Sequence, residues 1–81
     1  MPLAHSPLIE RLSRVLAARK LSINANGADA SAGGQVDICW PDHRDDALAI
    51  LHELREPDPA MAEAGDADVW RAMIEAALDR A

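Results

Sequence analysis

Large apolar side chains are scarce in this sequence, and the shortage allows only one small hydrophobic core. Alanine supplies 17 of the 40 apolar residues, and the 81-residue chain has no Phe and no Tyr. A chain of this length buries only about 60–65 % of the surface that it exposes when unfolded. We therefore expect a single small domain over residues 1–81, with Trp40 and Trp70 as its large rings.

The first apolar stretch has the spacing of an amphipathic helix. Ser6 is a preferred capping residue, and Pro7 fits the first helical position. The pattern predicts a helix over residues 7–20 that follows an N-terminal tail, residues 1–6. Four apolar residues recur on one face of this helix: Leu8, Leu12, Val15 and Leu16.

The period of the apolar residues then changes to two. Apolar and polar residues alternate in two short segments, with Leu21, Ile23 and Ala25 in the first and Val36, Ile38 and Trp40 in the second. Between them, residues 26–34 are small or polar and include three glycines, which is typical of a turn. The pattern predicts a two-stranded antiparallel hairpin with a flexible loop over residues 26–34.

Proline, aspartate and glycine mark the boundaries of the remaining elements. Pro41 ends the second strand, and Asp42 is placed to cap a second helix. Asp58 opens a short helical turn that Gly65 closes, and Asp66 or its neighbour caps the last helix. Six apolar residues share one broad face of that last helix: Val69, Trp70, Met73, Ile74, Ala77 and Leu78.

The predicted fold class is α+β. One small domain contains a helix, a two-stranded β-hairpin, a second helix, a short turn and a last helix. A hairpin of two strands is marginally stable by itself, so its apolar face must pack on the helices. The alternative fold is a three-helix bundle in which residues 21–40 are irregular.

Charge is distributed unevenly along the chain. Residues 1–40 carry four basic and three acidic side chains, whereas residues 41–81 carry four basic and eleven acidic ones. An acidic surface repels phosphate backbones and anionic lipids, so we expect direct binding neither to nucleic acid nor to a membrane. The longest apolar run, residues 47–51, is far shorter than the roughly 18–20 residues that a membrane span needs.

Cysteine usage and the first residues indicate a reducing compartment. A single cysteine cannot form an internal disulfide, and residues 1–4 lack the basic start and apolar run of an export signal. These observations predict a cytoplasmic protein. Seven Arg against one Lys, together with 17 Ala, are typical of a GC-rich bacterial genome.

The densest group of reactive side chains lies around the start of the second helix and comprises Cys39, Asp42, His43, Asp45, Asp46 and His52. A structural zinc site needs four ligands, and no second cysteine is present. Carboxylates in the first turn of a helix also cap its free N–H groups and complement its dipole. We therefore predict no metal, no cofactor and no catalytic residue. The alternative is a thiol- or metal-dependent module that uses Cys39, His43 and His52.

The function predicted from these observations is a non-enzymatic protein–protein interaction module, such as an adaptor, an inhibitor or a regulator. Its acidic half favours a partner with a basic surface, and its last helix has an unusually wide apolar arc. The predicted partner-binding residues are Asp42, Asp45, Asp46, Asp66, Asp68, Val69, Trp70 and Met73. Where one edge of the last helix stays exposed, the acidic residues expected to border it are Glu63, Asp66, Asp68 and Glu75.

Self-association is a further alternative. The chain could be an accessory subunit that acts only in a homo-oligomer, and a homodimer through the last helix is the simplest form. No stretch of the sequence carries a motif specific enough to identify a family.

Overall fold

The regular structure of this protein is helical wherever it is described. The computed structural model describes residue 3, residues 6–24 and residues 32–81. In these parts of the chain the elements are α1 (Leu8–Asn24), α2 (Ala32–Cys39), a 3-10 turn (Trp40–His43), α3 (Arg44–Leu54), α4 (Pro59–Ala64) and α5 (Ala67–Asp79). The prediction of an α+β fold with a β-hairpin is therefore wrong.

The core joins α1 to α3, and α5 packs against the same cluster. Its fully buried cluster contains Ile9 of α1 with Ala47 and Leu51 of α3. Seven partly buried apolar residues surround this cluster: Leu8, Leu12, Leu16, Leu48, Ala77, Leu78 and Ala81. Ile74 of α5 is also buried, whereas α4 contributes no buried residue. Apolar side chains of α1, α3 and α5 thus form the hydrophobic interior.

Residues 21–24 of the first predicted strand belong to α1, which continues to Asn24 instead of ending at residue 20, and residue 25 lies outside the described residues. Ile9, Ser13 and Ala17 are buried at four-residue intervals, and half-buried Leu21 extends the same stripe. Leu21 therefore fits a helical period as well as a period of two. Extending an existing helix forms a hydrogen bond with each residue, whereas a strand needs a partner, so the helix is favoured.

The second predicted strand is the helix α2. Val36, Cys39 and Trp40 are half-buried at helical spacing, whereas Ile38 is 78 % exposed. The expectation that Ile38 shares a face with Val36 and Trp40 is therefore wrong. The bundle alternative is also wrong here, because residues 32–40 are regular helix rather than irregular chain.

Two predicted segments fall largely outside the described residues. The N-terminal tail, residues 1–6, is described only at residues 3 and 6, and neither is helical. Of the loop predicted over residues 26–34, the part from 26 to 31 lies outside the description, and the remainder belongs to α2.

Arg14 links α1 to α2 and to the 3-10 turn. Its Nη1 donates to the Asp37 carboxylate at 2.5 Å, and its Nε donates to Glu10 at 3.2 Å. The guanidinium carbon lies 5.4 Å from the centre of the Trp40 ring, within the range of a cation–π contact. The hydrogen bond to Asp37 is the main cause that raises the pKa of Arg14 above its usual value. An arginine stays protonated in proteins, so this link keeps its positive charge at every pH that the fold tolerates.

The caps of α4 and α5 confirm the local predictions. The Asp58 carboxylate accepts from the Met61 N–H at 2.9 Å. The Asp66 carboxylate accepts from the N–H groups of Asp68 and Val69 at 2.9 and 3.2 Å. Each aspartate therefore satisfies backbone donors that have no partner within the helix. Gly65 follows α4 directly, as the sequence predicts.

The predicted cap of α3 is wrong. Asp42 lies inside the 3-10 turn, and His43 occupies the capping position without a side-chain hydrogen bond. A capping side chain needs an extended residue before the helix, whereas His43 has φ −102° and ψ 7° because the 3-10 turn leads directly into α3. Asp45 and Asp46 lie in the first turn of α3, where their charges complement the helix dipole.

Gly34 provides a test of the helical state of α2. A Cβ added at this position meets no heavy atom within 4 Å, so a substitution there reports backbone preference rather than packing. We expect Gly34→Ala to raise the free energy of unfolding by about 0.5–1 kcal/mol, since glycine is a poor helix former.

Gly34→Val is the matched comparison, because helices favour Ala over Val whereas strands favour Val over Ala. Urea unfolding of the two variants should show that Gly34→Ala is the more stable. The opposite order would contradict a helix at this position.

Candidate functional site

An apolar cleft of about 190 Å³ lies between α4 and α5. Its lining residues are Pro57, Met61, Gly65, Asp66, Ala67, Val69, Trp70 and Met73. Asp66 supplies the single charged side chain in this lining. The cleft is therefore an apolar surface with a carboxylate at one end of α5.

The cleft exists because the apolar arc of α5 is wider than the core can cover. Ile74 is 5 % exposed, whereas Val69 is 54 % exposed and Met73 is 63 % exposed. Successive helical residues are about 100° apart, so Val69 and Met73, four residues apart, share a face beside the buried one. Met61 of α4, itself 40 % exposed, adds a third large apolar side chain to this surface.

Trp70 contacts the end of α3 and also lines the cleft. It is half-buried, and its indole Nε1 donates to the backbone carbonyl of Leu54 at 2.6 Å. Leu54 ends α3, where backbone carbonyl groups have no N–H donor within the helix and need a donor from elsewhere. This hydrogen bond therefore satisfies the end of α3 and fixes the ring that lines the cleft.

The segment that forms the cleft is acidic. Residues 56–70 contain five carboxylates and no Lys or Arg. Arg71 follows this segment, and its guanidinium contacts Glu56 and Asp68 at 3.2 Å each. Arg55, which precedes the segment, contacts Glu56 at 3.7 Å, so both flanking arginines are already paired and the segment keeps an excess of negative charge.

Two of the predicted border residues differ in position. Glu63 is exposed on α4, and among the described residues it forms no ion pair. Glu75 lies six residues after Val69 on α5, which is about 120° around the helix from it. Glu63 is two residues from Met61, which places it on the opposite side of α4, so neither Glu63 nor Glu75 lines the cleft.

The predicted partner-binding residues separate into two groups. Asp66, Val69, Trp70 and Met73 line the cleft, and exposed Asp68 lies in the same first turn of α5. Asp42 and Asp46 line a different cavity, and exposed Asp45 lines neither. The structure therefore does not bring the eight residues together on one surface.

Four lining residues were not predicted from the sequence: Pro57, Met61, Gly65 and Ala67. The available signal was Met61 itself, a large apolar residue alone in a six-residue helix of otherwise small or polar residues. A helix this short has too few turns to show an apolar period, so its face could not be read from the sequence.

The second cavity has a volume of about 250 Å³ and lies between the end of α1 and the 3-10 turn. It is lined by Ala17, Lys20, Leu21, Cys39, Asp42, His43 and Asp46. Cys39 and His43 thus share a cavity, whereas His52 is exposed in the last turn of α3 and does not line it. Across residues 6–24 and 32–81, no group of three or more His, Cys, Asp or Glu is arranged to hold a metal ion.

No helix in the described part of the chain has both the length and the apolar character needed to cross a membrane.

Comparison with known proteins gives no match at three levels. No family model matches the sequence, no curated protein matches it, and no solved structure matches the fold. The function therefore has to be argued from the side chains of this chain.

Substitution of Trp70 tests the link between α5 and the end of α3. We expect Trp70→Phe to lower the free energy of unfolding by about 0.5–1.5 kcal/mol, because the ring packing is largely kept while the Leu54 carbonyl loses its donor. Trp70→Ala should lose more, since it also removes the apolar ring. Urea unfolding monitored by circular dichroism measures both. A Trp70→Phe variant as stable as the original would contradict the role of the indole N–H.

Proposed function

We propose that this protein is a non-enzymatic interaction module that binds another protein at the cleft between α4 and α5. The observation that carries the proposal is the grouping of exposed Met61, Val69 and Met73 at one place. Folding alone favours burial of large apolar side chains, and they are in short supply in this chain. A contiguous exposed group of them is typical of a binding surface.

The chemistry of the cleft suits a protein partner. Methionine side chains are flexible and polarizable, so Met61 and Met73 can adapt to the shape of an inserted side chain. Interfaces commonly have an apolar centre and a polar rim, and here the rim is acidic. Complementary charge at a rim accelerates encounter and orients the partner.

The size of the cleft favours protein side chains over a small molecule. Pockets for small molecules usually measure roughly 300–1,000 Å³, and this cleft is smaller. The setting that we propose is the cytoplasm, because the single cysteine gives the chain no internal disulfide that an oxidising compartment would maintain.

Site-specific photo-cross-linking in the source cells tests this function. A photoreactive residue replaces Met73 in one variant and Gln35, exposed on α2, in the matched control. We expect a discrete adduct with another protein from position 73 and none from position 35, because only position 73 lies in the cleft.

The mass of the adduct decides between the proposed function and self-association. An adduct with twice the mass of the chain would show that the cleft binds a second copy and not another protein. Absence of any adduct from position 73, in a variant that folds as the original does, would contradict the proposal.

A further inference from the structure

We propose that the segment seated in the α4–α5 cleft is a single amphipathic helix of the partner that carries Lys or Arg beside its apolar anchors. This inference rests on the proposed function, because it names the kind of segment that the same cleft binds. Three independent observations support it: the charge around the cleft, the helical surroundings of the cleft, and the engagement of the Trp70 indole.

The carboxylates at the cleft favour a cationic partner. Of the five carboxylates in residues 56–70, those of Glu56 and Asp68 contact Arg71. Of the others, Asp66 lines the cleft and Asp58 follows Pro57, which also lines it, and in the described part of the chain neither carboxylate has a cationic partner. Unpaired carboxylates at the edge of an apolar surface attract an approaching Lys or Arg side chain.

The surroundings of the cleft exclude an added strand. Strand addition needs a sheet edge with unpaired N–H and C=O groups, and every regular element in residues 6–24 and 32–81 is helical. A helical partner satisfies its own backbone hydrogen bonds and contributes only side chains. The lining of the cleft is mostly apolar, so it favours contact with the apolar side chains of such a helix.

The indole of Trp70 excludes a polyproline ligand. Proline-rich segments bind in aromatic-lined grooves, where their backbone carbonyls need donors from the groove. The Nε1 of Trp70 already donates to Leu54. Binding a polyproline carbonyl would therefore break the hydrogen bond that fixes the ring.

A second copy of this chain is the competing occupant, because its own α1 exposes a mixed stripe. Arg11, Val15 and Arg19 are exposed at four-residue intervals on that helix. Val15 would be the single apolar anchor of this contact. A head-to-tail contact also leaves one cleft and one α1 unoccupied at the two ends of a dimer, so further copies could add without limit. These points favour a helix of another protein.

Synthetic peptides provide the test. The probe is a labelled 14-residue peptide of Leu and Lys with Leu at helical spacing. One control peptide has Glu in place of every Lys, and the other has a central proline, which breaks the helix and keeps the charge. Fluorescence anisotropy measures the Kd of each peptide for the full chain. We expect the Lys peptide to bind at least about tenfold more tightly than either control, a difference of about 1.4 kcal/mol.

Two protein variants with the same net charge locate the binding. Asp58→Asn/Asp66→Asn removes the two carboxylates at the cleft and keeps both caps, since Asn caps as well as Asp. Asp45→Asn/Asp46→Asn removes two charges from the first turn of α3. We expect the first variant to weaken binding of the Lys peptide by about tenfold or more and the second by less than about twofold.

Several outcomes would overturn the inference. Equal weakening in the two variants would show attraction by net charge alone, and equal affinity for the proline peptide would show that no helix is needed. Self-association in sedimentation that the first variant abolishes would identify the second copy as the occupant. Cross-links from position 73 without binding of the Lys peptide would refute the cationic helix and leave the proposed function standing. Neither cross-links nor peptide binding would refute both.

Discussion

The contact between α1 and α3 around Leu51 supports the whole structure. Leu51 is fully buried against Ile9, and α5 packs on α3 through Ala77 and Leu78 beside the same cluster. Because the chain contains few large apolar residues, this arrangement uses most of the core-forming side chains of three helices. The short helix α4 buries none of its residues, and the outer edge of α5 is left uncovered. The cleft is thus a direct consequence of where the core ends.

Trp70 connects this core to the candidate site. Its hydrogen bond to Leu54 holds α5 at the end of α3, and its ring lines the cleft. Asp58 and Asp66 fix the starts of the two helices that form the walls. A surface held by caps and by the hydrogen bond of Trp70 is ordered before a partner arrives, and such preorganisation lowers the entropic loss on binding.

Local signals in the sequence predicted the parts of the fold that depend on local chemistry. The Asp58 and Asp66 caps are correct because a capping aspartate acts on backbone groups two or three residues away. The hairpin is wrong because Leu21 fits two periods, and because α2 packs on α1 through contacts distant in sequence, such as Arg14 with Asp37, 23 residues apart. For the site, the α5 residues were found from the width of their apolar arc. Asp42 and Asp46 were misplaced because nothing local shows that the start of α3 faces α1.

Neighbouring apolar residues of α5 have different roles, with Ile74 in the core and Met73 in the cleft. Urea unfolding of Ile74→Ala and Met73→Ser, side by side, measures this most directly. We expect Ile74→Ala to lose about 2–4 kcal/mol of unfolding free energy. Met73→Ser should change it by less than about 0.5 kcal/mol, as for an exposed position. Equal losses in the two variants would contradict this difference in roles, because Met73 would then belong to the core.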